Sequence, residues 1–122
     1  MFTRAKRLLV TLALICAGCT TTSPIEFATG ETLSVVIITD SREPTRFTLL
    51  PTDARYVKLH QWLARNQSGW APYLGTTPGR GVLVTGVNLR LQFLDSAVLA
   101  CQTKGACLSR PVRQEDYEFL RP

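Results

Sequence analysis

The chain contains a single histidine and a single methionine among its 122 residues. One histidine is too little for a histidine-based metal centre, and it confines imidazole general-base chemistry to His60. No GxSxG nucleophile elbow occurs, and Ser68-Gly69 reads as helix-end chemistry. The glycine-rich stretch 75–81 is not followed by Lys-Ser/Thr, so it lacks the phosphate-cradling form and reads as a strand connection. Carboxylates are sparse, and the groups Asp40/Glu43 and Glu115/Asp116/Glu118 fall in a turn and in the tail. Solvated surface is the expectation there, rather than a glycosidase pair. No internal repeat appears, and no apolar run approaches the roughly twenty residues of a membrane-spanning helix. The expectation is a protein without catalytic centre, cofactor or metal.

What the chain does have begins at its start. Arg4, Lys6 and Arg7 precede residues 8–17, which are apolar apart from Thr11. A basic start and an apolar run of about ten residues suit a secretory signal. Ala17 and Gly18 then place two small residues before Cys19. This arrangement resembles the lipobox of bacterial lipoproteins, departing from it in Cys16, which stands where leucine is usual. The resemblance implies cleavage after residue 18 and a diacylglycerol on Cys19, with an amide-linked, palmitate-type chain on the new N-terminus. Thr20, standing where aspartate would signal inner-membrane retention, resembles the outer-membrane class. The implied location is the outer membrane, lipid-anchored and facing the periplasm. The expected organisation is signal peptide 1–18, lipidated N-terminus and tether 19–30, and a single periplasmic domain 31–122.

Removing the signal changes the electrostatics. It takes three of the fourteen basic residues and none of the nine acids, leaving eleven against nine, or +2 instead of +5. The alkaline character therefore gives no support to nucleic-acid binding. With Cys16 removed and Cys19 acylated, Cys101 and Cys107 remain. Such a close pair in an oxidising compartment reads as a disulfide. A redox pair usually has two intervening residues, and a metal would need further ligands.

Residues 33–39 are β-branched and nearly all apolar, and they read as a strand that turns at 40–44 into a second strand at 46–50. Thr52 or Asp53 caps a helix that stops at 66–69. Tyr56, Leu59, His60, Leu63 and Ala64 share its apolar face, with Arg55, Lys58, Gln61 and Arg65 opposite. Residues 82–85 and 89–94 read as a hairpin, with Arg90 and Gln92 on a wet face. Extended segments at 97–101 and 108–112 flank the disulfide loop, and Tyr117, Phe119 and Leu120 can pack as a last short turn. The expected fold is α+β: an antiparallel sheet of five to six strands with one amphipathic helix on one face.

His60 lies on the apolar face and reads as a core histidine. The aromatic group Trp62, Trp70 and Tyr73, with Arg55 near Trp62, is the candidate binding surface, since tryptophan beside arginine suits a protein contact. Arg80, Arg90, Arg110 and Arg113 are a further candidate patch. The expected function is non-enzymatic: binding of a periplasmic or outer-membrane protein, either an envelope or secretion assembly or a target that the domain inhibits. The alternatives are a glycan- or peptidoglycan-binding module using the tryptophans and, behind it, a small hydrolase centred on His60. Mass spectrometry of the mature N-terminal peptide is expected to show acylated Cys19; an unmodified cysteine or a different cleavage site refutes the lipoprotein reading.

Overall fold

A computed structural model describes residues 24–40 and 42–122; the signal segment and Cys19 lie outside the described residues. Strands β1 (Leu33–Ile38) and β2 (Thr45–Leu49) form a hairpin, followed by helix α1 (Ala54–Arg65). Then come β3 (Ala71–Pro72), β4 (Gly81–Thr85), β5 (Leu89–Phe93), β6 (Ala97–Gln102) and β7 (Cys107–Pro111). A short helix α2 (Gln114–Tyr117) runs into a 3-10 turn at Glu118–Leu120. The sheet order is β2-β1-β4-β5-β6-β7-β3, and every pairing is antiparallel. The fold is α+β, with seven strands instead of five or six and a second short helix. The added strand, β3, is two residues long and falls within 70–74, a stretch whose sequence allows extended chain.

Register accounts for the core. Val35, Val84, Leu91 and Ala100 are successive cross-strand partners, as are Ile37, Val82, Phe93 and Val98. These rows point to one face, and α1 covers it with Tyr56, Leu59 and Leu63. Asp53 caps the helix by accepting from the Arg55 N–H, satisfying one of the donors left free in the first turn. Ala64, expected on the apolar face, is exposed, because the stripe drifts away from it at the last turn.

The opposite face is drier than its alternation suggests. Gln92 is only 2 % exposed, and its amide donates to the carbonyls of Pro78 and Arg80. The glycine-rich connection is therefore laid across this side of the sheet, and Leu99 is buried on the same side. A loop covering a sheet needs a partner for its carbonyls, and the buried amide supplies it.

A second correction concerns the tether. Ile25 and Phe27 are 5 % and 3 % exposed and belong to the core. The Gln67 side chain grips the Ile25 backbone at both ends: Oε1 accepts from its N–H at 2.9 Å and Nε2 donates to its carbonyl at 2.8 Å. The same Nε2 also donates to the Leu63 carbonyl at the end of α1. Phe27 reaches the β4–β5 turn, where a Cβ on Gly86 would lie 2.7 Å from its ring, so no larger residue fits without a shift. The packed domain thus begins at Ile25 and not at 31.

At the other end of the chain, Tyr117 stacks on Phe93 with ring centres 5.0 Å apart and donates to the Leu94 carbonyl. Burial pushes its hydroxyl above the ordinary tyrosine range, which keeps it a neutral donor. Cys101 and Cys107, directly paired across β6 and β7, are joined as a disulfide. Closing so short a loop contributes about 2 kcal/mol in the chain-entropy model.

Phe27→Ala is expected to lower stability by about 3 kcal/mol, and the melting temperature by more than about 10 °C for a domain this size. Thermal unfolding followed by circular dichroism measures it; a loss below about 1 kcal/mol would show that the N-terminal strap is not part of the core.

Candidate functional site

The candidate binding residues separate into two regions. Trp62 is half-buried and packs edge-on against Phe93, with ring centres 5.5 Å apart, and against Trp70 at 6.5 Å. Trp70 donates its indole N–H to the Asn66 carbonyl at 2.6 Å, which ties it to the end of α1. The Arg110 guanidinium lies 5.8 Å from the Trp70 ring centre and donates through Nη1 to the Ser68 carbonyl. The tryptophans are therefore gathered, as expected, but edge-on to each other. Neither offers the other a parallel platform.

Beside them a cleft of about 590 Å³ opens between α1 and the C-terminal segment. Trp62 and Phe119 form its apolar part, while Lys58, Arg65 and Arg110 bring positive charge. Lys58, Trp62 and Arg65 fall at i, i+4 and i+7 and so share one helix stripe. Glu115 and Asp116 lie on the other wall, each already engaged: Glu115 with the Arg113 guanidinium at 3.3 Å, Asp116 with the Arg113 backbone N–H.

Arg55 is elsewhere. It sits two helical turns before Trp62, about 10 Å along the axis. Its guanidinium lies 4.6 Å above the Phe47 ring and bonds both carboxylate oxygens of Asp53. Those hydrogen bonds from Arg55 hold the Asp53 carboxyl below its usual range, and Arg55 is raised in return. Tyr73 is separate again, donating its hydroxyl to the Thr76 carbonyl at the start of the connection to β4.

The β2 end of the domain carries exposed apolar residues that pattern reading did not single out. β2 ends the sheet, and among the described residues no strand pairs with its outer edge. Leu50, just past β2, is 54 % exposed, and Val57, one turn into α1, is 48 % exposed. Half-buried Phe47, under Arg55, lies between edge and helix. Val57 was detectable in the sequence as an apolar residue outside the Tyr56–Leu63 stripe. The openness of the edge was not, since it depends on strand order.

His60 sits among aromatic rings. His60 stacks on Tyr56 with ring centres 4.5 Å apart, and Phe27 lies 6.4 Å away. Its Nε2 and the Tyr56 hydroxyl are both buried without a hydrogen-bond partner among the described residues. Among the described residues no group of three His, Cys, Asp or Glu side chains could hold a metal ion. The four arginines considered as a patch are dispersed: Arg80 faces Asp95, Arg113 faces Glu115, Arg110 lies over Trp70, and Arg90 opposes Cys101 in the sheet. No family model matches the chain, and no curated protein or solved structure gives a significant match.

An unpaired buried nitrogen costs free energy, whereas an apolar group of similar shape does not. His60→Phe is therefore expected to leave the melting temperature unchanged or raise it by a few degrees. A fall of more than about 5 °C, roughly 1 kcal/mol for a domain this size, would show that Nε2 has a partner and that the core assignment is wrong.

Proposed function

We propose that the protein is a lipid-anchored outer-membrane protein whose periplasmic domain catalyses nothing and binds a protein partner. The observation that carries this reading is the open β2 edge, with Phe47 and Arg55 stacked beside it and exposed Leu50 just past its end; Val57 is exposed on the first turn of α1, on the flank away from Arg55. An edge strand presents unpaired backbone donors and acceptors, and an extended segment of another chain satisfies them by strand addition. The exposed apolar side chains beside it supply area that water-facing residues would not. Arg55, already held in place by Asp53, meets a partner at little entropic cost. A glycan reading has less support, because Trp62 and Trp70 stand edge-on to each other and Arg110 lies over the Trp70 ring. The hydrolase reading lacks a carboxylate or nucleophile bonded to His60.

The test is cross-linking in intact envelopes, followed by purification of the tagged full-length protein. Leu50→Lys together with Val57→Lys places two charges in the proposed contact and, both sites being exposed, leaves stability within about 0.5 kcal/mol per site. Recovery of the partner is expected to fall about tenfold or more. Undiminished recovery of the same protein from this variant would remove the β2 edge as its site.

A further inference from the structure

We infer that the cleft at the end of α1 is a headgroup site: Lys58, Arg65 and Arg110 face the phosphates of the membrane in which Cys19 is anchored. This rests on the proposed acylation of Cys19 and extends it from attachment to orientation.

The argument starts from chain length. Packing begins at Ile25, and the Gln67 side chain fixes that residue to the exit of α1. Six residue steps separate Cys19 from Ile25, a reach of at most about 20 Å when fully extended. The twelve-residue helix alone is about 18 Å long. The lipid is thus tied by a leash no longer than the domain, at the corner where α1 ends.

The cleft running along α1 to that corner is lined by three cations. Lys58 and Arg65 form no ion pair among the described residues, and Arg110 is brought there by its bond to the Ser68 carbonyl. On the far wall Glu115 is paired with the Arg113 guanidinium and Asp116 accepts from the Arg113 backbone N–H, so the cleft's three cations face one acid left without an ion pair among the described residues. Trp62, half-buried between these cations, has the amphipathic character that suits the boundary between headgroups and water. A basic patch acts as a second membrane signal beside acyl chains, and it chooses which face of a short-leashed domain meets the surface. β2 lies five strand spacings from β7, about 24 Å, so this docking leaves the partner edge free.

The two tryptophans of the chain both lie at this corner and serve as the probe. Acylated full-length mature protein is reconstituted into phosphatidylethanolamine–phosphatidylglycerol vesicles containing headgroup spin-labelled lipid. Tryptophan emission is expected to be quenched. Lys58→Glu with Arg65→Glu, or raising salt from about 0.05 to about 0.5 M, is expected to reduce that quenching by about half while the protein still floats with the vesicles. Flotation without quenching, or quenching indifferent to both changes, overturns the orientation and leaves the anchor standing. Failure to float, with unacylated Cys19 in the mass spectrum, refutes the anchor itself and the orientation with it. A photo-cross-linker at Gln61 that captures an acidic protein segment in intact cells, instead of lipid, also overturns the proposal.

Discussion

Covering one face of a wide sheet is the constraint on which the rest of the structure depends. Seven strands at about 4.8 Å spacing make a sheet nearly 30 Å across, while one helix is about 10 Å wide. Helix α1 therefore shields only part of the apolar rows that run from Val35 to Ala100 and from Ile37 to Val98. The remainder is covered from three other directions: Ile25 and Phe27 from the N-terminal strap, Trp62 and Trp70 at the exit of the helix, and Tyr117 and Leu120 from the C-terminal turns. Each of these pieces is too short to be stable alone, and each is held by a bond to a fixed carbonyl or amide. Gln67 holds the strap, Asn66 holds Trp70, and Leu94 holds Tyr117.

The same device operates on the other side of the sheet. The 75–81 connection must pass from the far edge, at β3, to the middle, at β4, and it does so across the back of β5. Gln92 meets it there with a buried amide. Glutamines thus do at two places what larger apolar surfaces do elsewhere: they let irregular backbone approach the sheet without leaving its polar groups unpaired. Losing either side chain would cost more than one hydrogen bond, because the strand of chain it holds would lose its reason to stay.

How much of this was legible follows from the range of each signal. The β1–β2 hairpin, the helix and its Asp53 cap, the β4–β5 hairpin and the Cys101–Cys107 closure all rest on neighbours within a few residues, and all are present. The strap was read as a tether because Ile25 and Phe27 are isolated apolar residues among threonine, serine, proline and glutamate. Nothing local says that a sheet needs them. Gln92 reads as wet because alternation cannot see a loop whose carbonyls arrive from 12 and 14 residues away. The grouping of Arg55 with Trp62 failed for a related reason: both lie at the edge of one helix, but two turns apart, where different strands lie beneath. The tryptophans, by contrast, came together because both flank the same helix end.

Reassigning the strap to the core changes what attachment means for this domain. A long tether would let every surface sample the membrane and the periplasm alike, and no face would be special. With packing beginning at Ile25, the proposed lipid lies close to the exit of α1, and the two ends of the helix become unequal. Under the proposed docking, the end with Arg65 and Arg110 is held near the surface, and the end with Asp53, Arg55 and Phe47 is held away from it. The open β2 edge belongs to the second end and to the opposite side of the sheet from Arg110. In the proposed arrangement, a partner reaching that edge approaches from the periplasmic side and meets a strand whose height and direction are already set. Orientation of this kind lowers the entropic cost of association without adding a contact. On the proposed reading, the short strap therefore serves binding as well as the core.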